Sequence, residues 1–353
     1  MAVQVGAELG FGADGLGVAI AVLFGASALS SPIVFRIIER IGAYAGVIVT
    51  SVAAGASMLS MALLVRSYTG LLVTMVLGGV ANGFGQPAAN GLLARGLRPG
   101  RQGLAFGSKQ AAVPLTSLVA GATVPLVALT VGWRWAYAGV AVLVLLVPFL
   151  VPRQDGSARP QRDGVRPNLS APLWLLTAAS ALGAAATMTL ASFTVDSLVS
   201  GGVSESSAGI LLVYGSAVSI TTRLLFGWAA DRWGFEPALP MIAAMVSGAG
   251  GVALLGIAEP TWPLVTVVAI AFGAGWGWNG LMDLTVVGLN RASPAAASSM
   301  MMAGSFVGAT VGQLGFGLVA ANVAYRVAWL GAATVLLAGA GCAVLARRLA
   351  ERA

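Results

Sequence analysis

No histidine occurs in the 353 residues, and cysteine occurs once, at Cys342. Without imidazole the chain lacks the commonest metal ligand and the usual side chain for moving protons near neutral pH. A single cysteine forms no disulfide within its own chain, and Cys342 lies in an apolar stretch, where it reads as a packing residue. Charge is scarce as well. Asp, Glu, Lys and Arg make up 9% of the residues, where soluble domains carry about 25%, so a water-exposed surface cannot be covered. No nucleophile–base pairing, metal-ligand spacing or cofactor fingerprint appears, which argues against an enzyme and predicts neither a cofactor nor a metal. The N-terminus has no basic region followed by a small-residue cleavage site, so no secretory leader is expected.

Apolar residues fill the space that charge leaves. They are 58% of the chain, and mean hydropathy is +0.90. The composition describes an all-α polytopic membrane protein whose surroundings are a lipid bilayer. The 48 glycines suit helices that pack closely in lipid, where small residues let backbones approach. Apolar runs long enough to cross a hydrocarbon core needing roughly 20 residues fall near 14–35, 43–65, 69–94, 105–130 and 134–151. After a polar interval at 152–170 they resume near 171–195, 206–229, 237–256, 263–288, 297–320 and 327–347. Residues 1–12 are mixed in character and read as a loop. The Pro- and Arg-bearing interval is the natural boundary, giving an N-terminal bundle at 1–151, a linker at 152–170 and a C-terminal bundle at 171–353.

The halves are copies of one unit. Gly227-Trp-Ala-Ala-Asp231-Arg232-Trp-Gly234 reappears in reduced form as Glu39-Arg40-Ile-Gly42, and each shared position lies 192 residues from its counterpart. Gly85 and Gly277 keep that spacing, as do Arg134 and Arg326. Internal repetition of this kind defines architecture. The helix at 171–192 has no counterpart at positive numbers, so the register predicts a six-plus-six protein whose first helix is absent from this chain.

Loop arginines set the expected orientation. Taking the linker side as inner, that side holds Arg36, Arg40, Arg95, Arg98, Arg101, Arg153, Arg159, Arg162, Arg166, Arg232, Arg291, Arg347, Arg348 and Arg352. The other side holds Arg66, Arg134 and Arg326. The positive-inside rule then places the linker and C-terminus in the cytoplasm and the protein in the cytoplasmic (plasma) membrane. The net charge of +7 is thereby accounted for without nucleic acid.

Two six-helix halves, a central inner loop and Gly-x-x-x-Asp-Arg-x-Gly between the second and third helices of a half resemble the major facilitator superfamily. Gly227, Asp231, Arg232 and Gly234 match in full. In the first half Phe35 replaces the opening glycine and Glu39 the aspartate, and Phe235-Glu236 stand where the family has a trailing basic pair. The resemblance implies two pseudo-symmetric helical bundles, about 11 membrane helices here where the family has 12. It implies a monomeric carrier of a small molecule, working by alternating access. It also implies that Glu39, Arg40, Gly42, Gly227, Asp231, Arg232 and Gly234 form a gating motif.

Ionisable groups inside a span are costly and mark function by default. Lys109, Arg223 and Asp283 are the three candidates. Asn279 and Trp278 lie in the same helix as Asp283, and the weaker polar candidates are Asn82, Gln86 and Asn90 in the matching first-half helix, Tyr214 and Gln313. Two cations against one carboxylate favour a small organic anion, with Asp283 as the proton-coupling group of a symporter. Each also has a structural reading: Arg223 bonding helix-end carbonyls, Lys109 snorkelling to the interface, Asp283 capping a neighbouring helix. Trp276 and Trp278, two apart, cannot share one helical face, so at most one is expected at a cavity. The rival reading within transport is efflux of drugs or lipophilic cations, against which Lys109-Gln-Ala-Ala-Val-Pro114 lacks the Gly-Pro-x-x-Gly-Gly signature of the family's drug antiporters. A non-transporting relative, either a sensor or an inactive fragment, is the third.

Overall fold

The computed structural model describes residues 2–96, 102–151, 170–257, 263–290 and 294–352, apart from the side chains of 32, 35, 39, 86, 87, 90–96 and 295. The linker expected at 152–170 therefore lies outside the described residues except for Ser170.

Thirteen α-helices account for nearly all of it: α1 (Ala2–Leu9), α2 (Ala13–Ile41), α3 (Ala43–Leu63), α4 (Tyr68–Gly96), α5 (Gln102–Thr123) and α6 (Trp133–Leu150) come first. Then follow α7 (Ala171–Ser200), α8 (Glu205–Trp233), α9 (Ala238–Ile257), α10 (Leu264–Gly277), α11 (Asn279–Leu289), α12 (Pro294–Asn322) and α13 (Tyr325–Ala350). Among the described residues, eleven helical stretches are long and apolar enough to cross a membrane. This is a multi-pass membrane protein. Its outward side chains are those lipid accepts, such as Leu29, Leu126, Phe149 and Leu150, all largely exposed.

The repeat is visible in the helix bounds. α2 and α8 begin and end 192 residues apart, and so do the first residues of α6 and α13. The two long helices stop for the same reason. Gly42 and Gly234 take φ of 86° and 60°, a region that a Cβ disfavours, and each donates its N–H four residues back. α8 also starts on a side-chain cap, Ser204 accepting the N–H of Ser207 at 3.3 Å, with Glu205 in its first turn, where the helix dipole favours a carboxylate.

One expectation needs correcting. Residues 2–9 are a helix, α1, and the repeat register sets α1 against the last turns of α7. Glu8 near its end accepts the Trp133 indole N–H and an Arg134 guanidinium N–H, both at 2.7 Å, while Arg134 also donates to the Val65 carbonyl at 2.9 Å. Those two donors hold the Glu8 carboxyl below the usual carboxylate range, against the opposing effect of desolvation. The short length and mixed composition of the segment hid this helix, which is fixed by tertiary bonds. The span expected at 263–288 is present as Leu264–Leu289, interrupted within it: α10 ends at Gly277 and α11 restarts at Asn279. α5 runs into a π-helical turn at Val124–Ala128, where Pro125 has no N–H to give and the chain closes Leu129 N–H onto the Val124 carbonyl instead.

The halves meet along two helix pairs that the repeat makes equivalent, α5 with α8 and α2 with α12. Both are backbone-to-backbone contacts. The buried positions of α5 are Gly103, Gly107, Gln110, Ala111, Pro114, Ser117 and Gly121, recurring at steps of three and four, the spacing of one helical face. A methyl group at Gly227 would lie 2.4 Å from the Gly103 carbonyl oxygen, and one at Gly107 would lie 2.6 Å from that of Arg223. On the second pair, a methyl at Gly17 would lie 2.6 Å from the Gln313 carbonyl oxygen. No residue larger than glycine fits those positions without moving a helix.

Candidate functional site

Four side chains from both halves converge where α5, α8, α10 and α11 meet. The local sequence prepares the acceptors. Pro114 has no N–H, so the carbonyl four residues back, Gln110, loses its helical partner. Trp276 lies in the last turn of α10, where carbonyls are orphaned because the helix stops. Arg223 of α8 serves both. Its Nη1 donates to the Gln110 carbonyl, and Nε and Nη2 donate to the Trp276 carbonyl at 3.1 and 2.5 Å. The guanidinium carbon stands 5.3 Å from the Trp276 ring centroid, within cation–π range.

The carboxylate lies beside it. Asp283 Oδ2 accepts the Gln110 side-chain N–H at 2.8 Å and stands 3.8 Å from Lys109 Nζ. All of this is sealed: relative exposure is 1% for Arg223 and 2% for Asp283, and 8% for the Lys109 side chain. A buried ion pair contributes little net stability once desolvation is counted, yet removing one partner costs about 3–5 kcal/mol. With both cations and the carboxylate ionised, the cluster carries one excess positive charge.

Of the other expected site residues, one joins this cluster and the rest do not. Asn279 is partly buried and donates to the Trp276 carbonyl at 3.2 Å, so it belongs to the same group. Trp278 is wholly buried, donates to the Gly275 carbonyl at 2.9 Å and presses on Gly183 of α7, where a methyl would lie 2.3 Å from its ring. Trp276 is equally buried. Both rings are packed into the core of the second half. Gln313 is fully buried in α12, and neither amide atom has a partner. Tyr214 is exposed on the outer surface of α8, and Asn82 donates to Ser27 of α2 at 3.0 Å, inside the first half. Lys109 does not reach the interface; Asp283 holds it in. The side chains of Gln86 and Asn90 lie outside the described residues.

Of the residues expected to form a gating motif, Asp231 is the most informative. Its two carboxylate oxygens accept the backbone N–H groups of Gly103 and Leu104, at 2.7 and 2.8 Å. Those are orphan donors of the first turn of α5, at the positive end of its dipole. Asp231 thus ties the linker-side end of α8 to the opposite half. Gly227 lets the helices approach, and Gly42 and Gly234 terminate α2 and α8. Arg40 and Arg232 are exposed. The side chain of Glu39, the first-half counterpart of Asp231, lies outside the described residues.

A cavity of about 240 Å³ opens away from this cluster, toward the ends of the helices opposite the linker. Both halves line it, with Phe11, Ile20, Met61, Tyr137, Val195 and Leu212 among its walls. It is apolar, and none of the expected site residues reaches it. A second cavity of about 300 Å³ lies on the linker side of the second half, edged by the Glu236–Arg347–Glu351 ion pairs.

Sequence reasoning passed over Gln110, which neighbours Lys109, and the Trp276 carbonyl. Pro114 was the available signal for the first, since a proline inside a span points to a free carbonyl four residues earlier.

Comparison with known proteins identifies the family. The family model described as Major Facilitator Superfamily matches residues 1–294. An uncharacterized 38 kDa protein in the 23S RNA operon of Thermoproteus tenax is 33% identical over 248 residues, which is 67% of this chain. The matched part spans 60% of that relative's length.

Proposed function

This chain belongs to the Major Facilitator Superfamily and is a membrane transporter, and we propose that it is a proton-coupled carrier of a small organic anion, working by alternating access. The observation that carries the reading is the buried Lys109–Asp283 pair, because one partner comes from each half. A proton arriving on an Asp283 oxygen removes its negative charge and releases Lys109 from its partner. Two cations then remain unneutralised in a low-dielectric interior, where their attraction for an anion is strong. Anion and proton are taken up together. Rocking of the halves about a central site, as in other internally repeated transporters, carries both across. The arginine bias supports a cytoplasmic linker and C-terminus.

The test uses proteoliposomes with a pH-sensitive dye inside and a panel of small carboxylates outside. Carboxylate-driven acidification of the lumen is expected for the wild type and is lost in Asp283→Asn. Acidification at an equal rate in Asp283→Asn would sink the coupling role.

A second reading, efflux of lipophilic compounds, is favoured by the apolar cavity between the halves. In the same vesicles it predicts dye responses to lipophilic cations and none to carboxylates.

A further inference from the structure

Arg223 presents a puzzle that its charge alone does not explain. A guanidinium that is 1% exposed spends all three of its nitrogens on backbone carbonyls, on opposite halves of the molecule. Backbone carbonyls inside a helix are normally occupied. These two are open for separate covalent and conformational reasons, Pro114 in α5 and the interruption at Trp278 between α10 and α11. Gln110 is the hinge of the arrangement, since its carbonyl meets Arg223 while its side chain meets Asp283.

We propose that Arg223 is a positioning residue: it bridges the carbonyl freed by Pro114 and the carbonyl freed by the Trp278 break, and so holds Gln110 and Lys109 in register with Asp283. It contacts no substrate. This function rests on the coupling role of Asp283 for its consequence, while the brace itself stands on geometry. The pseudo-symmetric interface has no such device, because the counterparts of Arg223, Lys109 and Gln110 at a spacing of 192 are Ser31, Met301 and Met302. The brace makes one of two equivalent interfaces different from the other. Lysine cannot replace the arginine, for one ammonium lacks the planar fork that reaches both carbonyls.

Two variants probe the brace without removing the buried positive charge. Arg223→Lys keeps the charge. Pro114→Ala restores an N–H that competes for the Gln110 carbonyl. Spin labels at Leu115→Cys on α5 and Leu289→Cys on α11, both exposed in the wild type, go into a Cys342→Ala background. The wild-type chain in lipid is expected to give one narrow inter-label distance, and both variants a broadened one; an unchanged distribution in both overturns the proposal. In proteoliposomes, the pH midpoint of carboxylate-driven proton flux is expected to move in Arg223→Lys. The charged groups that face Asp283 among the described residues are Lys109 and Arg223, so a wild-type midpoint in that variant also counts against positioning. Absence of proton flux in the wild type itself would remove the coupling reading, and the label distances would still decide the brace.

Discussion

Replacing Asp231 with asparagine removes the charge from the tie between α8 and the start of α5. Two bonds from backbone N–H groups to a carboxylate contribute about 1.5–3 kcal/mol each. Asparagine keeps one neutral acceptor, worth about 1 kcal/mol. Asp231 is only partly buried, so the lower end applies, about 3 kcal/mol less about 1. The net loss is about 2 kcal/mol, or roughly 30-fold in an open-to-closed equilibrium at about 1.4 kcal/mol per tenfold. The reporter is Ala111→Cys on the buried face of α5, in a Cys342→Ala background. When opening and closing outpace labelling, the maleimide reaction rate follows the open population. Asp231→Asn should therefore react about 30-fold faster, and Asp231→Glu should fall between the two. A rate within about twofold of wild type would show that these bonds do not hold the linker-side gate, whatever their geometry.

Three further outcomes follow from particular contacts. Gly227→Ala should lower the thermal unfolding temperature in detergent, because its methyl would lie 2.4 Å from the Gly103 carbonyl oxygen and overpacking costs about 1–3 kcal/mol; an unchanged temperature would mean that the α5–α8 backbones are not in contact. Gly183→Ala should destabilise by a similar amount, since its methyl meets the Trp278 ring, and Trp278→Phe should recover part of the loss; strict additivity of the two would refute the contact. Glu8 gives a pH signature. Its carboxyl is held low in the folded chain, so its stabilisation is complete above the unfolded value of about 4.3 and is lost as pH falls through the lower folded value. The melting difference between wild type and Glu8→Gln should be flat from pH about 6 to about 8 and shrink in acid, and a pH-independent difference would exclude the ion pair.

How much of this was legible depends on the kind of contact. Long apolar runs and the 192-residue spacing announce the helices and the pairing of halves, because hydrophobic length and repetition are properties of sequence. The positive-φ glycines at 42 and 234 were visible as motif positions, though not as helix terminators. The break at Trp278 was harder. Gly275 and Gly277 hinted at a kink, but an interrupted helix needs tertiary partners to fill the freed carbonyls, and Arg223 lies 53 positions away from Trp276. The same holds for α1, too short to be stable alone, which Glu8 secures through residues near position 134. Asp231 announced itself by motif, yet its acceptors' partners are backbone N–H groups, which carry no letter in a sequence. The pairing of Lys109 with Asp283 was suspected only as a shared charge balance; that the two touch across the halves depends on how α5 and α11 cross.

The glycine-lined meeting of α5 and α8 has a kinetic consequence. Surfaces made of backbone, with few side chains interlocked, have little corrugation, so the proposed rocking would carry one half over the other with low friction. Resistance is concentrated at discrete catches, the Asp231 tie and the Arg223 bridge, in the manner of a detent. In the proposed motion such a joint would rest in definite positions rather than drift between them, and its switching rate would be set by a few polar bonds that can be loosened one at a time.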